Sequence, residues 1–233
     1  MAKKKEETKP QPQTQELQVV EGGMQTVVNL GLFERLYLED LMDRIFYLDG
    51  NVTSDVLHTI VSQIIKINGM EYGCEDSGKR PIILIINSCG GSVIDGTSVM
   101  DVINTSAVPV IGIVTGYAYS MAFDILTQCH YRIGMPNSSY MYHDGWTCES
   151  NTSCKTQDTI KFYTKLDERI DKMIANKTKL TTDYLQSIVR AENYWFADEA
   201  KERGIIDAVI GEDISIGEVF GFMSECGDCC GEE

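Results

Sequence analysis

The chain has 233 residues, 43% of them hydrophobic and 24% charged, a balance that fits one substantial globular domain and excludes a wholly disordered chain. Its longest apolar runs, such as Ile82-Ile83-Leu84-Ile85-Ile86, fall far short of the roughly 18 residues a helical membrane span needs. Thirty-five acidic residues against 20 Lys and Arg give a formal charge of −15, a field that repels nucleic-acid phosphates and anionic lipid.

The start, Met1-Ala2-Lys3-Lys4-Lys5, is basic, but a polar run over 6–15 stands where a signal peptide would be apolar. With eight scattered cysteines this points to free thiols in a reducing, cytoplasmic compartment. Residues 1–22 have little to bury and are expected to form a mobile arm. A domain over 23–210 follows, then an acidic tail over 211–233. In that tail Cys226, Cys229 and Cys230 lack the fourth ligand of a structural zinc site and are read as solvated.

Arg44-Ile45-Phe46-Tyr47-Leu48 reads as a buried strand that Asp49-Gly50-Asn51 ends. Thr53 or Ser54 can cap a helix with Val56, Ile60, Ile64 and Ile67 on one face. A polar loop over 68–79 leads to a second strand over 82–86, then a helix over 92–104 with Val99 and Ile103 on one face. A third strand over 110–114 precedes a helix from Ser120 to Cys129. Strands that are nearly continuous Ile/Val/Leu runs, alternating with helices, predict a parallel sheet covered on both faces and hence an α/β fold. Residues 157–176 form the longest helical pattern, with Tyr163, Leu166, Ile170 and Met173 or Ile174 as a stripe and Glu168 and Lys172 able to pair opposite it. Helices over 183–190 and 197–203, the latter stopped by Gly204, precede a last strand over 205–210. The long amphipathic helix lies outside the alternating block, so another subunit is its natural packing partner.

Two glycine-bearing turns fall at consecutive strand ends, where open parallel sheets present their sites. Asn87-Ser88-Cys89-Gly90-Gly91-Ser92 lets the backbone approach a ligand but is no phosphate loop, lacking both G-x-G-x-x-G and a Gly-Lys-Ser/Thr ending. In Gly116-Tyr117-Ala118-Tyr119-Ser120-Met121-Ala122, Ser120 stands where a helix begins and could simply cap it. Its small neighbours Ala118 and Ala122 instead suit a tight nucleophile elbow, with the Met121 amide as an oxyanion donor and Gly91 nearby as a second. A serine nucleophile needs a base, and the chain has His58, His130 and His143. His58 sits within a helix and His130 in a polar turn. His143, which ends the short strand Tyr140-Met141-Tyr142, is the choice by place and elimination.

These segments resemble the proteolytic subunit of the Clp protease (caseinolytic protease P), a self-compartmentalising serine peptidase. Arg44-Ile-Phe-Tyr-Leu resembles that family's first core strand, and Ile86-Asn-Ser-Cys-Gly-Gly-Ser92 its Asn-Ser-Pro-Gly-Gly-Ser turn. Gly116-Tyr-Ala-Tyr-Ser120-Met-Ala resembles the nucleophile motif, and Pro136-Asn-Ser-Ser-Tyr-Met-Tyr-His143 the segment ending in the catalytic histidine. Ala197-Asp-Glu-Ala-Lys-Glu-Arg-Gly-Ile-Ile-Asp207 resembles the closing helix and strand.

The resemblance implies a crotonase-like α/β fold with residues 157–176 as a handle between rings. It implies Ser120 as nucleophile, His143 as general base, and the Gly91 and Met121 amides as oxyanion hole. It further implies two stacked seven-membered rings (a tetradecamer), an AAA+ unfoldase partner that uses the ATP, unfolded protein as substrate, and no metal or organic cofactor. The family's third member is an aspartate before the closing helix. Here an ungapped alignment puts Glu192 at that place, and one with a deletion after Trp195 puts Asn193 there; the ungapped choice is Glu192. Other departures are Cys89 for a proline, Asp144-Gly145 for Gln-Pro, Asp124 in the helix behind the nucleophile, and a segment over 146–155 without the family's glycines. The rival readings are a catalytically silent ring subunit, an acyl-CoA hydratase or isomerase, and a specialised relative such as a capsid-maturation protease.

Overall fold

The computed structural model describes residues 31–73, 79–145 and 152–221; the predicted N-terminal arm and Cys226, Cys229 and Cys230 lie outside them. The described residues up to Glu39 form one unit and those from Asp40 onward another. The first contributes most of helix α1 (Leu32–Met42), an element additional to those expected, whose leading Gly31 amide donates to Glu34 at 2.8 Å.

In the second unit, strands β1 (Ile45–Val52), β2 (Ile82–Gly91), β3 (Val110–Tyr119), β4 (Tyr131–Gly134) and β7 (Ala208–Val209) lie side by side in that order, all parallel. A short π-helical turn (Leu57–Val61) and α2 (Ser62–Met70) cross from β1 to β2. Next come α3 (Val93–Thr105), capped by Ser92, and α4 (Met121–Gln128). This is the crotonase-like α/β architecture expected.

β3 forks. Its first part, Ile111–Val114, pairs with β4, while Tyr117–Tyr119 pairs with β5 (Ser139–Tyr142). β5 in turn pairs antiparallel with β6 (Asn193–Phe196), so that Tyr142 stands opposite Asn193. The fork sets the ends of β3 and β5 side by side, and these are the strand ends that carry Ser120 and His143.

Four expected strand boundaries need correction. Asp49-Gly50-Asn51 does not end β1, which continues to Val52 through a register shift with Gly50 at φ 85°. Asn87–Gly91 is the second half of β2 rather than a turn, and β3 runs on to Tyr119. Apolar runs mark only the stretch of a strand that is buried on both faces, and the polar half of each ladder has no such signature. Conversely, the predicted last strand shrinks to Ala208–Val209. Ile205 and Ile206 are buried, but in the turn after Gly204 (φ 66°).

The two sheet faces alternate with the pleat. Ile82, Leu84 and Ile86 point with Ile60, Ile64, Val99, Ile103 and Phe123 into the larger core under the helices. Ile83, Ile111, Ile113 and Ile133 form a smaller cluster on the other face, against Ile210 and the fully buried Val219 of α8 (Ile216–Gly221). The second face is therefore covered by the chain's last described segment rather than by a helical layer, and Ile45, Ile85 and Met135 stay partly exposed there.

The helix expected to serve as a handle, α5 (Ser153–Lys177), also differs from expectation. Ile170 and Ile174 of its predicted stripe are buried in the chain's own core, whereas Ile160 and Phe162, nearer its start, are exposed. Among the described residues its ion pair joins Lys161 to Asp158 at 3.7 Å, not Glu168 to Lys172. No helix among the described residues is long and apolar enough to cross a membrane.

The end of α5 is tied to the sheet by Arg132. Its guanidinium takes both Asp207 carboxylate oxygens (2.7 and 3.0 Å) and the Lys177 carbonyl (2.8 Å) with only 8% of the residue exposed. Arg132→Ala would leave Asp207 without its counter-charge. It should cost about 3 kcal/mol, the lower end for a broken buried pair because Asp207 keeps partial exposure. A urea midpoint unchanged in that variant would refute this.

Candidate active site

Ser120 joins β3 to α4 with φ 53° and ψ −129°, one of two non-glycine residues with positive φ among those described. A side chain in that region costs on the order of 1–3 kcal/mol and persists only where the surroundings hold it. Here they do: the Ser120 amide donates to the Met141 carbonyl at 2.8 Å, and its carbonyl accepts from the amides of Phe123 (2.8 Å) and Asp124 (3.1 Å). The hydroxyl makes no cap hydrogen bond to α4. It lies instead 2.9 Å from Nε2 of His143, the residue that follows β5. Geometry thus separates the two sequence readings of Ser120, because a capping serine would direct its oxygen at the helix amides.

The small residues around this turn are required by space. Ala118 and Ala122 are fully buried. A Cβ on Gly90 (φ 87°) would stand 2.6 Å from the Tyr119 carbonyl oxygen, 2.8 Å from the Met121 nitrogen and 2.9 Å from Ser120 Cβ. One on Gly91 (φ 150°) would stand 2.4 Å from the Val52 carbonyl oxygen. The end of β2 therefore lies directly against the serine turn, with the Met121 amide between them. Ser88 Oγ accepts from the Gly90 amide at 3.1 Å and donates to the Gly50 carbonyl at 2.5 Å, fixing the glycine pair from behind. Cys89, which stands where the resembling family has proline, is exposed and places Sγ 2.9 Å from Asn51 Oδ1.

The other histidines are elsewhere. His130 Nδ1 accepts from the Val110 amide at 3.1 Å, and burial pushes its pKa down; His58 is exposed in the π-helical turn. The two candidates for the third member are both engaged away from the imidazole. Glu192 is exposed and accepts the Tyr194 hydroxyl at 2.8 Å. Asn193 Nδ2 donates to the carbonyls of Ala191 (2.7 Å), Ile188 (2.8 Å) and, more weakly, Tyr142 (3.4 Å).

A cavity of about 60 Å³ opens beside Ser120 and His143. Four aspartates border it: Asp124 on α4, Asp144 after His143, and Asp167 and Asp171 on α5. Of these, Asp124 and Asp144 stood out in the sequence as departures from the resembling family. The α5 pair could have been found from helical spacing, since 167, 170 and 171 share the face that carries the predicted stripe. Asp171 is 7% exposed and accepts the Tyr142 hydroxyl at 2.6 Å, yet burial raises its pKa. Asp167 is raised by burial and by the charges of Asp171 and Asp144. Asp124 is raised furthest, first by burial and then by the charges of Asp171 and Asp167.

The sign of the consequence follows. A carboxyl whose folded pKa lies above its unfolded value opposes folding when ionised. The stability it withholds is regained as pH falls through the folded value toward the ordinary carboxylate range. Asp124→Asn should therefore raise the melting temperature at pH 8 and raise it progressively less toward pH 4. An equal effect at both ends would refute the account.

A parallel sheet flanked by helices, with β3 forking between β4 and β5, is consistent with the crotonase-like fold of Clp peptidases. The family model described as Clp protease matches residues 32–213, well over half of the chain, and the chain belongs to that family. It is a ClpP-type proteolytic chain, and all five segments that resemble the family, from Arg44 to Asp207, lie inside the match.

Proposed function

We propose that the chain is the serine-type endopeptidase subunit of an ATP-dependent Clp protease. The observation that carries this is the 2.9 Å approach of Ser120 Oγ to His143 Nε2 at a strained strand-to-helix turn. His143 takes the hydroxyl proton as Oγ attacks a peptide carbonyl, and the amides of Gly91 and Met121 receive the oxyanion. The protonated imidazole then gives its proton to the leaving amine. A water activated by the neutral His143 hydrolyses the acyl-enzyme and restores Ser120. Each step uses the chain's own groups.

Family membership supports assembly into two seven-membered rings and feeding of unfolded protein by an AAA+ unfoldase, while the scattered cysteines fit a reducing, cytoplasmic setting. The exposed Ile160 and Phe162 on α5 supply apolar surface for the contact between rings. Ile160→Glu combined with Phe162→Lys should halve the native mass; an unchanged mass would remove α5 from that contact. A fluorophosphonate probe tests the chemistry. It should label the wild type at Ser120 and leave Ser120→Ala unlabelled, and labelling that persists in the variant would overturn the assignment. One observation favours a second reading, a silent ring subunit: neither Glu192 nor Asn193 is bonded to His143. Absence of labelling in an assembled wild-type ring would select it.

A further inference from the structure

We propose that the cavity beside Ser120 receives a cationic substrate side chain, lysine best of all, so that the chain cleaves peptides after basic residues. This rests on the serine-peptidase reading above and adds to it the class of substrate.

The cavity's position makes it a specificity pocket. Its border includes Ser120 and His143, so a side chain lying in it belongs to the residue whose carbonyl Ser120 attacks. Its lining is part apolar, from Val93, Met121, Ile170 and Val189, and part acidic, from the four aspartates. Long cationic side chains have that division, a hydrocarbon stem and a charged tip.

The acids are uncompensated. Among the described residues no Lys or Arg borders the cavity, and none of Asp124, Asp144, Asp167 and Asp171 takes part in an ion pair. Asp124 Oδ1 is buried and has no hydrogen-bond partner among the described residues, although the residue keeps some exposure where it meets the cavity. Asp171 has used one oxygen on Tyr142. Asp144 and Asp167 are exposed at the rim, where they attract a cation before it enters. Carboxylates buried with no counter-charge are costly, and the raised pKa values of Asp124, Asp167 and Asp171 express that cost. An ammonium group among them supplies the missing charge and a donor for Asp124 Oδ1, drawing the carboxyl toward its ionised form.

Size selects within the class. A lysine side chain has five heavy atoms and an arginine seven, and a cavity of only about 60 Å³ favours the smaller. An acidic side chain meets like charge. An apolar one covers the aspartates without pairing them, the situation in which a site built for a polar partner discriminates most strongly.

The test uses the full chain and a fluorogenic peptide set that differs only in the residue before the scissile bond, Lys, Arg, Leu or Glu. The kcat/KM for Lys should exceed that for Leu by about 100-fold, with Arg between them and Glu uncleaved. Asp171→Asn should lower the Lys-to-Leu ratio at least about tenfold. Because Asp171 is buried, Asp167→Asn at the exposed rim is run beside it and should lower the ratio in the same direction. If Ser120 takes the fluorophosphonate label but the wild type cleaves after Leu as well as after Lys, the pocket assignment is overturned and the peptidase reading stands. A ratio unmoved in both well-folded variants also overturns it. If Ser120 takes no label and no peptide is cut, both fall together.

Discussion

His143→Ala should lower peptide turnover by about 10⁶-fold, and Ser120→Ala should lower it as far, with the double variant no worse than either. Non-additivity is the informative part. In the proposed mechanism the hydroxyl is activated through the imidazole 2.9 Å away, so removing either group removes the same step. The residue of activity should be that supplied by binding and by the backbone amides alone. Each variant should keep its fold. Ser120 is held by backbone bonds from Met141, Phe123 and Asp124, and alanine preserves all of them. Alanine is, however, no better than serine at positive φ, so the melting temperature should stay close to that of the wild type. Turnover that survives His143→Ala within tenfold would mean that another group accepts the serine proton.

The positions of Ser120 and His143 were legible because each ends a strand, and strand ends in parallel sheets collect at one edge. Their pairing was expected, but the route by which the fold brings them into contact was not legible. It depends on β3 forking so that Tyr117–Tyr119 leaves β4 and pairs with β5, and nothing in Gly116-Tyr117-Ala118-Tyr119 encodes a change of partner. The polar ends of β1 and β2 were hidden for a related reason, since they are held by the neighbouring strand rather than by apolar residues. The α5 stripe was read correctly as apolar but given to another subunit, because periodicity shows that a face is buried and not against what. Ile170 and Ile174 bury within the same chain, and their neighbours Asp167 and Asp171 are thereby carried to the cavity beside Ser120 and His143. Two carboxylates distant in sequence from Ser120 became part of its surroundings through packing alone.

The same limit applies to the third member, where ungapped alignment favours Glu192 and the hydrogen bonds favour Asn193. Glu192→Gln should change turnover by less than about twofold, because glutamine can accept the same Tyr194 hydroxyl and the exposed carboxylate makes no bond to His143. Asn193→Ala should lower kcat by about 10²-fold, the scale on which a catalytic group displaced by an ångström loses rate. The carboxamide donates to Ile188, Ala191 and Tyr142, and Tyr142 immediately precedes His143 in the chain. Asn193 is in this sense a positioning residue, which sets the strand end from which the imidazole hangs. The loss should therefore fall on kcat rather than KM, in protein whose melting temperature shows it to be folded. Asn193→Asp, which restores the side-chain type found in the resembling family, should be worse than alanine. A carboxylate has no N–H to give, and its charge would face three carbonyl oxygens at hydrogen-bonding range. A fall of 10³–10⁴ in Glu192→Gln with Asn193→Ala unaffected would return the role to Glu192 and show that its side chain turns to His143 when substrate binds.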